Sequence, residues 1–253
     1  LKGLAAQGSE QAARLVAVDI DEVRLKALHL ELGIATDTSA QAAVADAEVV
    51  VLAVKPWVIP TVLTEIRATL PPEATLISIA AGVRLATLEE FLPPQTPVVR
   101  GMPNTPALIG AGITALAHGS SATEKHLQLA SKVLGQLGSV VAVPENSLDA
   151  VTGLSGSGPA YVYLFIEALI DAGVREGLSR DVARKLTLET VIGSARLVKE
   201  SGGHPAQLKD AVTTPGGTTI AALAALESGG FRGLVFDAVH RATEVSRLLG
   251  KGD

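Results

Sequence analysis

Val49-Val50-Val51-Leu52-Ala53-Val54-Lys55-Pro56 is the stretch that decides the fold. The first six side chains carry no polar atom, the composition of a strand covered on both faces, and the proline turns the chain out of it. Such a strand belongs to a parallel sheet and is expected at its centre. Upstream, Leu15 to Val18 is another apolar run. Asp21 to Leu32 follows it as an amphipathic helix, with Val23, Leu25, Leu28 and Leu32 as its apolar positions and Gly33 as its stop. Ile34 and Ala35 make a short strand and Thr38 to Ala47 an Ala-rich helix. Downstream, Val58 to Leu70, Thr75 to Ile79, Leu85 to Phe91, Val98 to Arg100, Ile113 to Leu116, Thr123 to Leu137 and Val140 to Val143 continue the alternation. Strand and helix in turn is the pattern of a sheet wound through crossover helices.

After Pro144 the strand signals stop. Helices are predicted at Pro159 to Gly173, Ser179 to Glu200, Pro205 to Ala211, Gly217 to Glu227 and Gly230 to Leu249, broken by Gly-rich turns. The fold class is therefore α/β: a Rossmann-type, mostly parallel sheet domain over 1–146, then an all-α dimerisation domain over 147–253. The second assignment rests on apolar stripes wider than a small monomer needs, such as Tyr161, Leu164, Phe165, Ala168 and Leu169. Stripes of that kind must be covered, which predicts an interlocked homodimer; a simple bundle is the alternative.

Aromatic residues supply only 3% of a chain that is 47% hydrophobic, so the core must be packed from aliphatic side chains. A net charge of -5 with both signs interspersed provides no basic stripe for a phosphate backbone, and the apolar runs are too short to cross a bilayer. The expectation is no nucleic acid, no membrane and a cytoplasmic setting. Without cysteine there is neither a disulfide framework nor a thiolate nucleophile, and none of the five histidines is paired at metal-ligand spacing, so no metal is expected. The opening segment Leu1 to Gly8 reads as the end of a helix. A nucleotide-binding sheet starts with a strand and a Gly-rich phosphate turn before that helix, so about fifteen to twenty residues are expected ahead of Leu1. Gly156, Gly158 and Tyr161 come near the Gly-rich fingerprint but fail at its third position.

Several residues are placed for chemistry. Asp19 closes the second strand, where a dinucleotide-binding sheet holds an acid for the adenosine ribose. A carboxylate there repels a 2'-phosphate and favours NADH over NADPH, although Arg24 and Lys26 are close in sequence; capping of the next helix is the competing reading. Ala53, Val54, Lys55 and Pro56 end a parallel strand, where ligands of open sheets sit, and Lys55 suits a phosphate or carboxylate if it is not simply solvated. Ala80, Ala81 and Gly82 do the same after the next strand, with small side chains that admit a flat ring or merely pack tightly. Asn104, in the proline-rich run Arg100 to Pro106, suits a nicotinamide amide or a substrate, or stabilises its own turn. Leu154 to Tyr161 serves as a hinge or as an anion-binding helix start. The strongest cluster is Lys209 to Thr219. Gly216 and Gly217 allow close backbone approach, and the free amides and dipole of the helix that follows make a seat for a carboxylate, beside the hydroxyls of Thr218 and Thr219. A Thr-capped helix is the plainer account of the same residues.

With those motifs in place the chain resembles the pyrroline-5-carboxylate reductases over essentially its whole length. The likeness is carried by Ala53 to Pro56, Ser78 to Gly82, Met102-Pro103-Asn104-Thr105-Pro106, Ser155 to Tyr161, and Lys209-Asp210 through Pro215-Gly216-Gly217-Thr218-Thr219 to Leu226-Glu227. It implies reduction of the cyclic imine 1-pyrroline-5-carboxylate to proline by NADPH or NADH, and an intertwined homodimer that can extend to a ring of dimers. It also implies that Gly217, Thr218 and Thr219 bind the substrate carboxylate, that the Thr219 hydroxyl faces the ring nitrogen, that Glu145 is near substrate and cofactor, and that the loops at Val54 to Pro56 and Ala80 to Gly82 touch cofactor. Where some relatives carry an asparagine at the cofactor, this chain has Ala211. Two other readings keep the fold: a 3-hydroxyacid-type dehydrogenase and a non-catalytic NAD(P)-binding sensor. The first would need a catalytic lysine on the interdomain helix, and Pro159 to Arg175 contains none.

Overall fold

The computed structural model describes residues 1–5 and 13–250. Of the helix end expected over Leu1 to Gly8, Lys2–Ala5 is helical and residues 6–8 lie outside the described residues. The chain divides into two compact units, Leu1–Ser157 with Arg241–Asp253, and Gly158–His240. The first runs past the expected division at 146 and takes in the end of the chain.

In the first unit β1 (Val16–Val18) pairs in parallel with β2 (Ala35–Asp37), joined by the helix Glu22–Leu32. Both ends of that helix follow from the sequence. The Asp21 carboxylate accepts hydrogen bonds from the Val23 and Arg24 amides, and Gly33 takes a left-handed conformation, φ 65°, that closes the last turn onto His29. The main sheet has the order β3 (Val49–Leu52), β4 (Thr75–Ser78), β5 (Val98–Met102), β6 (Gly112–His118), β7 (Gly138–Ala142). Its pairs are parallel except β5 with β6. Side chains alternate between two buried layers. Leu76 and Val98 join Ile59, Leu63 and Leu88 on one face, while Ile77 and Val99 join Leu116, Ala130 and Leu134 on the other. Each such aliphatic side chain stabilises the fold by about 1.5–3 kcal/mol on burial.

The apolar run at Val49 was expected at the sheet centre, and here the structure differs. β3 lies at the edge of the five strands, and Val51 is 39% exposed. A run without polar atoms records two apolar surroundings but not whether a second strand is bonded to it. The proline-rich run Arg100 to Pro106 begins inside a strand, since β5 continues through Met102 before the 3-10 helix Thr105–Ile109.

Gly138 opens β7 with φ 135° and ψ -150°, a region open to glycine alone. A Cβ there would also collide with the Gly112 backbone across the β6–β7 pair. Gly138→Ala is therefore expected to destabilise this unit by about 3 kcal/mol. Differential scanning calorimetry should show a melting temperature lowered by roughly 10 °C.

The second unit is helical: Gly158–Arg175, Arg180–Ser201, Pro205–Ala211, Thr218–Ser228 and the first part of Phe231–Leu249. The chain reaches it through a π-helical turn, Thr152–Gly156, which overlaps the run read as a hinge or an anion-binding helix start, and the Ser157 amide bonds the Thr152 carbonyl. Gly173 lies against Ala183, so the two long helices cross where neither has bulk; a Cβ on Gly173 would sit 3.0 Å from that of Ala183. Gly158–Arg175 has no buried residue, and Leu164, at 68% exposure, and Phe236, at 73%, stand open. Among the described residues no single helix is long and apolar enough to cross a membrane. The pair Thr218–Ser228 and Phe231–Leu249 meets the length and composition together but is bent by 50°.

Candidate functional site

Ala53 to Pro56 leave the carboxyl end of β3, as expected of a ligand-facing loop of an open sheet. Lys55 precedes the 3-10 helix Pro56–Val58 in extended conformation, is exposed, and has no acidic group within ion-pair distance among the described residues. Ala80 to Gly82 leave β4 in the same direction. Ala80 is buried, Ala81 exposed, and Gly82 turns the chain with φ 79°. An unpaired ammonium and a turn without side-chain bulk, both beyond the carboxyl ends of paired parallel strands, suit a dinucleotide in charge and in shape.

Asp19 follows β1, but it does not cap the next helix; Asp21 does. The Asp19 carboxylate accepts hydrogen bonds from the Asp21 amide at 3.1 Å and from Arg24 Nη1 at 3.1 Å. The bond from the Asp21 amide lowers its pKa below the ordinary aspartate value. Partial burial opposes that effect, and the bond and charge of Arg24 add to it. Arg24, close to Asp19 in sequence, is thus the partner of this carboxylate. Asn104 behaves as a turn residue: its Oδ1 accepts the Ile113 amide at 3.0 Å, fixing the start of β6. Its side-chain NH2 is the group left for a ligand.

Glu145 begins the 3-10 helix Glu145–Ser147 after β7. Its Oε1 accepts from Arg100 Nη1 at 3.0 Å and from the Leu85 amide at 2.7 Å. In the sequence Arg100 stands at the end of a strand and the start of the proline-rich run, without a role in the site. An arginine directly after Val98-Val99 in a buried strand was the available signal, because a buried guanidinium requires an acid. Arg84, Arg100, Glu145, Asn146, Asp149 and Arg247 line a cleft of about 360 Å³ in this unit. Asp149, one of the lining residues, accepts a hydrogen bond from Ser246 Oγ at 2.7 Å.

In the second unit the turn before Thr218–Ser228 is built as its glycines require. Gly216 has φ 66°. Gly217 is the N-cap, its amide bonds the Thr214 carbonyl at 3.1 Å, and a Cβ on it would collide with the Thr214 hydroxyl. No side chain caps this helix, so the first-turn amides at Thr218 and Thr219 stay open, with Thr218 exposed and Thr219 half-buried. The plainer expectation, a Thr-capped helix, is not what forms. An uncapped helix start with glycine ahead of it is a receptor for one carboxylate. Among the described residues no group of three or more histidine or acidic side chains could hold a metal ion.

Comparison with known proteins bears on both units. Residues 145–249 match the family described as pyrroline-5-carboxylate reductase dimerisation, and residues 1–82 the family described as NADP oxidoreductase, coenzyme F420-dependent. A pyrroline-5-carboxylate reductase of Synechocystis sp. is 50% identical over 81% of this chain and 76% of its own length. Among solved structures, a pyrroline-5-carboxylate reductase of Coxiella burnetii superposes with a TM-score of 0.92 at 35% identity, covering 98% of this chain and 92% of that one. The Plasmodium falciparum pyrroline carboxylate reductase solved with NADP bound gives 0.79 at 37% identity, covering 86% and 82%.

Proposed function

Because the chain belongs to the pyrroline-5-carboxylate reductase family, we propose that it reduces 1-pyrroline-5-carboxylate to proline, the last step of proline biosynthesis, with a nicotinamide dinucleotide. The observation that carries this reading is the uncapped start of Thr218–Ser228, which offers main-chain donors to the carboxylate of the imine acid. Gly217, Thr218 and Thr219 hold that carboxylate, and the Thr219 hydroxyl hydrogen-bonds the ring nitrogen. When bound, the reduced nicotinamide supplies the hydride that reaches the imine carbon. The chain's own task is to fix the acid, keep the ring nitrogen hydrogen-bonded as its basicity rises, and exclude water. Val54 to Pro56, Ala80 to Gly82 and Asn104 belong to the cofactor side, which assigns 1–146 to the dinucleotide and 147–253 to substrate and self-association. The exposed apolar helices of the second unit, with the match to a dimerisation family, support an intertwined homodimer. A ring of such dimers and a cytoplasmic location complete the proposal.

The test is oxidation of NADH and of NADPH by the purified chain with pyrroline-5-carboxylate, followed by absorbance. Turnover with neither cofactor would sink the reading. The same assay decides cofactor preference, which we assign to NADH through Asp19. Arg24 tempers that preference, since it already neutralises the carboxylate and is itself a ligand for a 2'-phosphate. Asp19→Ala removes the repulsion and releases Arg24, so the ratio of kcat/KM for NADPH over NADH is expected to rise about tenfold or more, as for one charge-assisted hydrogen bond gained. A ratio that stays constant would remove Asp19 from the specificity site.

A further inference from the structure

Arg100 is the only lysine, arginine, aspartate, glutamate or histidine in the buried class among the described residues, with a side chain 7% exposed against 33% for its partner Glu145. A buried cation persists only where an acid meets it. Here the acid does a second task with the same atom. Oε1 of Glu145 receives both the Arg100 guanidinium and the amide of Leu85, the first residue of the helix Leu85–Glu90, whose own N-cap Arg84 makes no side-chain cap bond. Three segments therefore converge on one oxygen: the strand β5, the 3-10 helix after β7, and the end of the loop that leaves β4 through Ala80, Ala81 and Gly82. That loop is also held by apolar contact, since Ala80 and Val83 pack against the core and Leu249 lies beside Gly82. Its internal side-chain tie is the long 3.4 Å bond from the Ala80 amide to Ser78 Oγ, and Gly82 adds the freedom of a positive φ.

We infer that Arg100 and Glu145 are positioning residues for the cofactor. Arg100 orients the Glu145 carboxylate, the carboxylate pins the Leu85 amide, and the pinned amide sets the Ala80–Arg84 loop in the conformation that receives the dinucleotide. Glu145 therefore acts through the loop and does not grip the substrate, which narrows the place near substrate and cofactor that the family likeness implies. The planar guanidinium suits this better than an ammonium, because it holds the carboxylate in one orientation. The inference rests on the reading of Ala80 to Gly82 as a cofactor loop.

The experiment uses the whole chain with Glu145→Gln and Arg100→Lys. It measures the Kd of NADH and NADPH by fluorescence titration, and the KM for pyrroline-5-carboxylate at saturating cofactor. Glutamine keeps an acceptor for Leu85 but drops the charge that orients it. Glu145→Gln is expected to raise the cofactor Kd about tenfold, and Arg100→Lys, which retains charge, about threefold, with imine KM within about twofold of the parent. A melting temperature for each variant shows whether it is folded, and Arg100→Lys stands in if Glu145→Gln is not. The inference is overturned if Glu145→Gln raises the imine KM about tenfold and leaves cofactor Kd unchanged, or if neither constant moves. Failure of the underlying reading looks different: the parent itself would oxidise neither cofactor with the imine.

Discussion

Gly217→Ala is expected to lower kcat/KM for pyrroline-5-carboxylate by about 10²-fold, mostly through KM, because two charge-assisted hydrogen bonds are each worth about 1.5–3 kcal/mol and neither survives intact. The reason is steric. Gly217 has φ -78°, open to any residue, so the substitution carries no backbone strain. A methyl group there would occupy the place of the Thr214 hydroxyl, and the Thr214 carbonyl, 3.2 Å from that Cβ, also holds the Gly217 amide. Moving Thr214 away shifts the amides that follow. Steady-state kinetics with varied imine at saturating cofactor measures the effect. A KM equal to the parent's would show that the carboxylate binds elsewhere.

Thr219→Ala should act on a different constant. Its amide remains, so carboxylate binding and KM are expected to hold within about threefold, while kcat falls about 10²-fold with the loss of the side-chain donor at the ring nitrogen. Half-burial of Thr219, against exposure of Thr218, places the hydroxyl at 219 in the drier of the two positions, where a hydrogen bond counts for more. Thr219→Ser keeps the hydroxyl and should recover most of the rate. An unchanged kcat in the alanine variant would move the proton-holding group to another residue. Together the two variants separate binding of the acid from chemistry at the ring.

Much of this site was legible in the sequence because its parts are local. The helix at Pro205–Ala211, the stop at Gly33, and the glycines before Thr218 each announce themselves through backbone chemistry that needs no distant partner. What escaped depends on residues brought together by the fold. Glu145 meets Arg100 across 45 positions and Leu85 across 60, and no spacing rule reaches that far. The antiparallel turn of β6 escaped for the same reason, since Ile113 to Leu116 reads as an apolar strand in either direction. Asn104 shows the opposite limit. A residue able both to tie a turn and to bind a ligand has to be seen bonded before the two are told apart, and its Oδ1 is bonded to the Ile113 amide.

The helix Gly158–Arg175 hides none of its side chains within a single chain. Val162, Leu164 and Tyr163 on it remain 45–68% exposed, and that part of the apolar surface gains nothing from folding until something covers it. In the proposed homodimer, assembly is then part of the folding equilibrium, not a step after it: dilution alone is expected to melt the helical half, and a lesion on that outward face to be felt first as a loss of soluble protein, before any loss of rate per molecule.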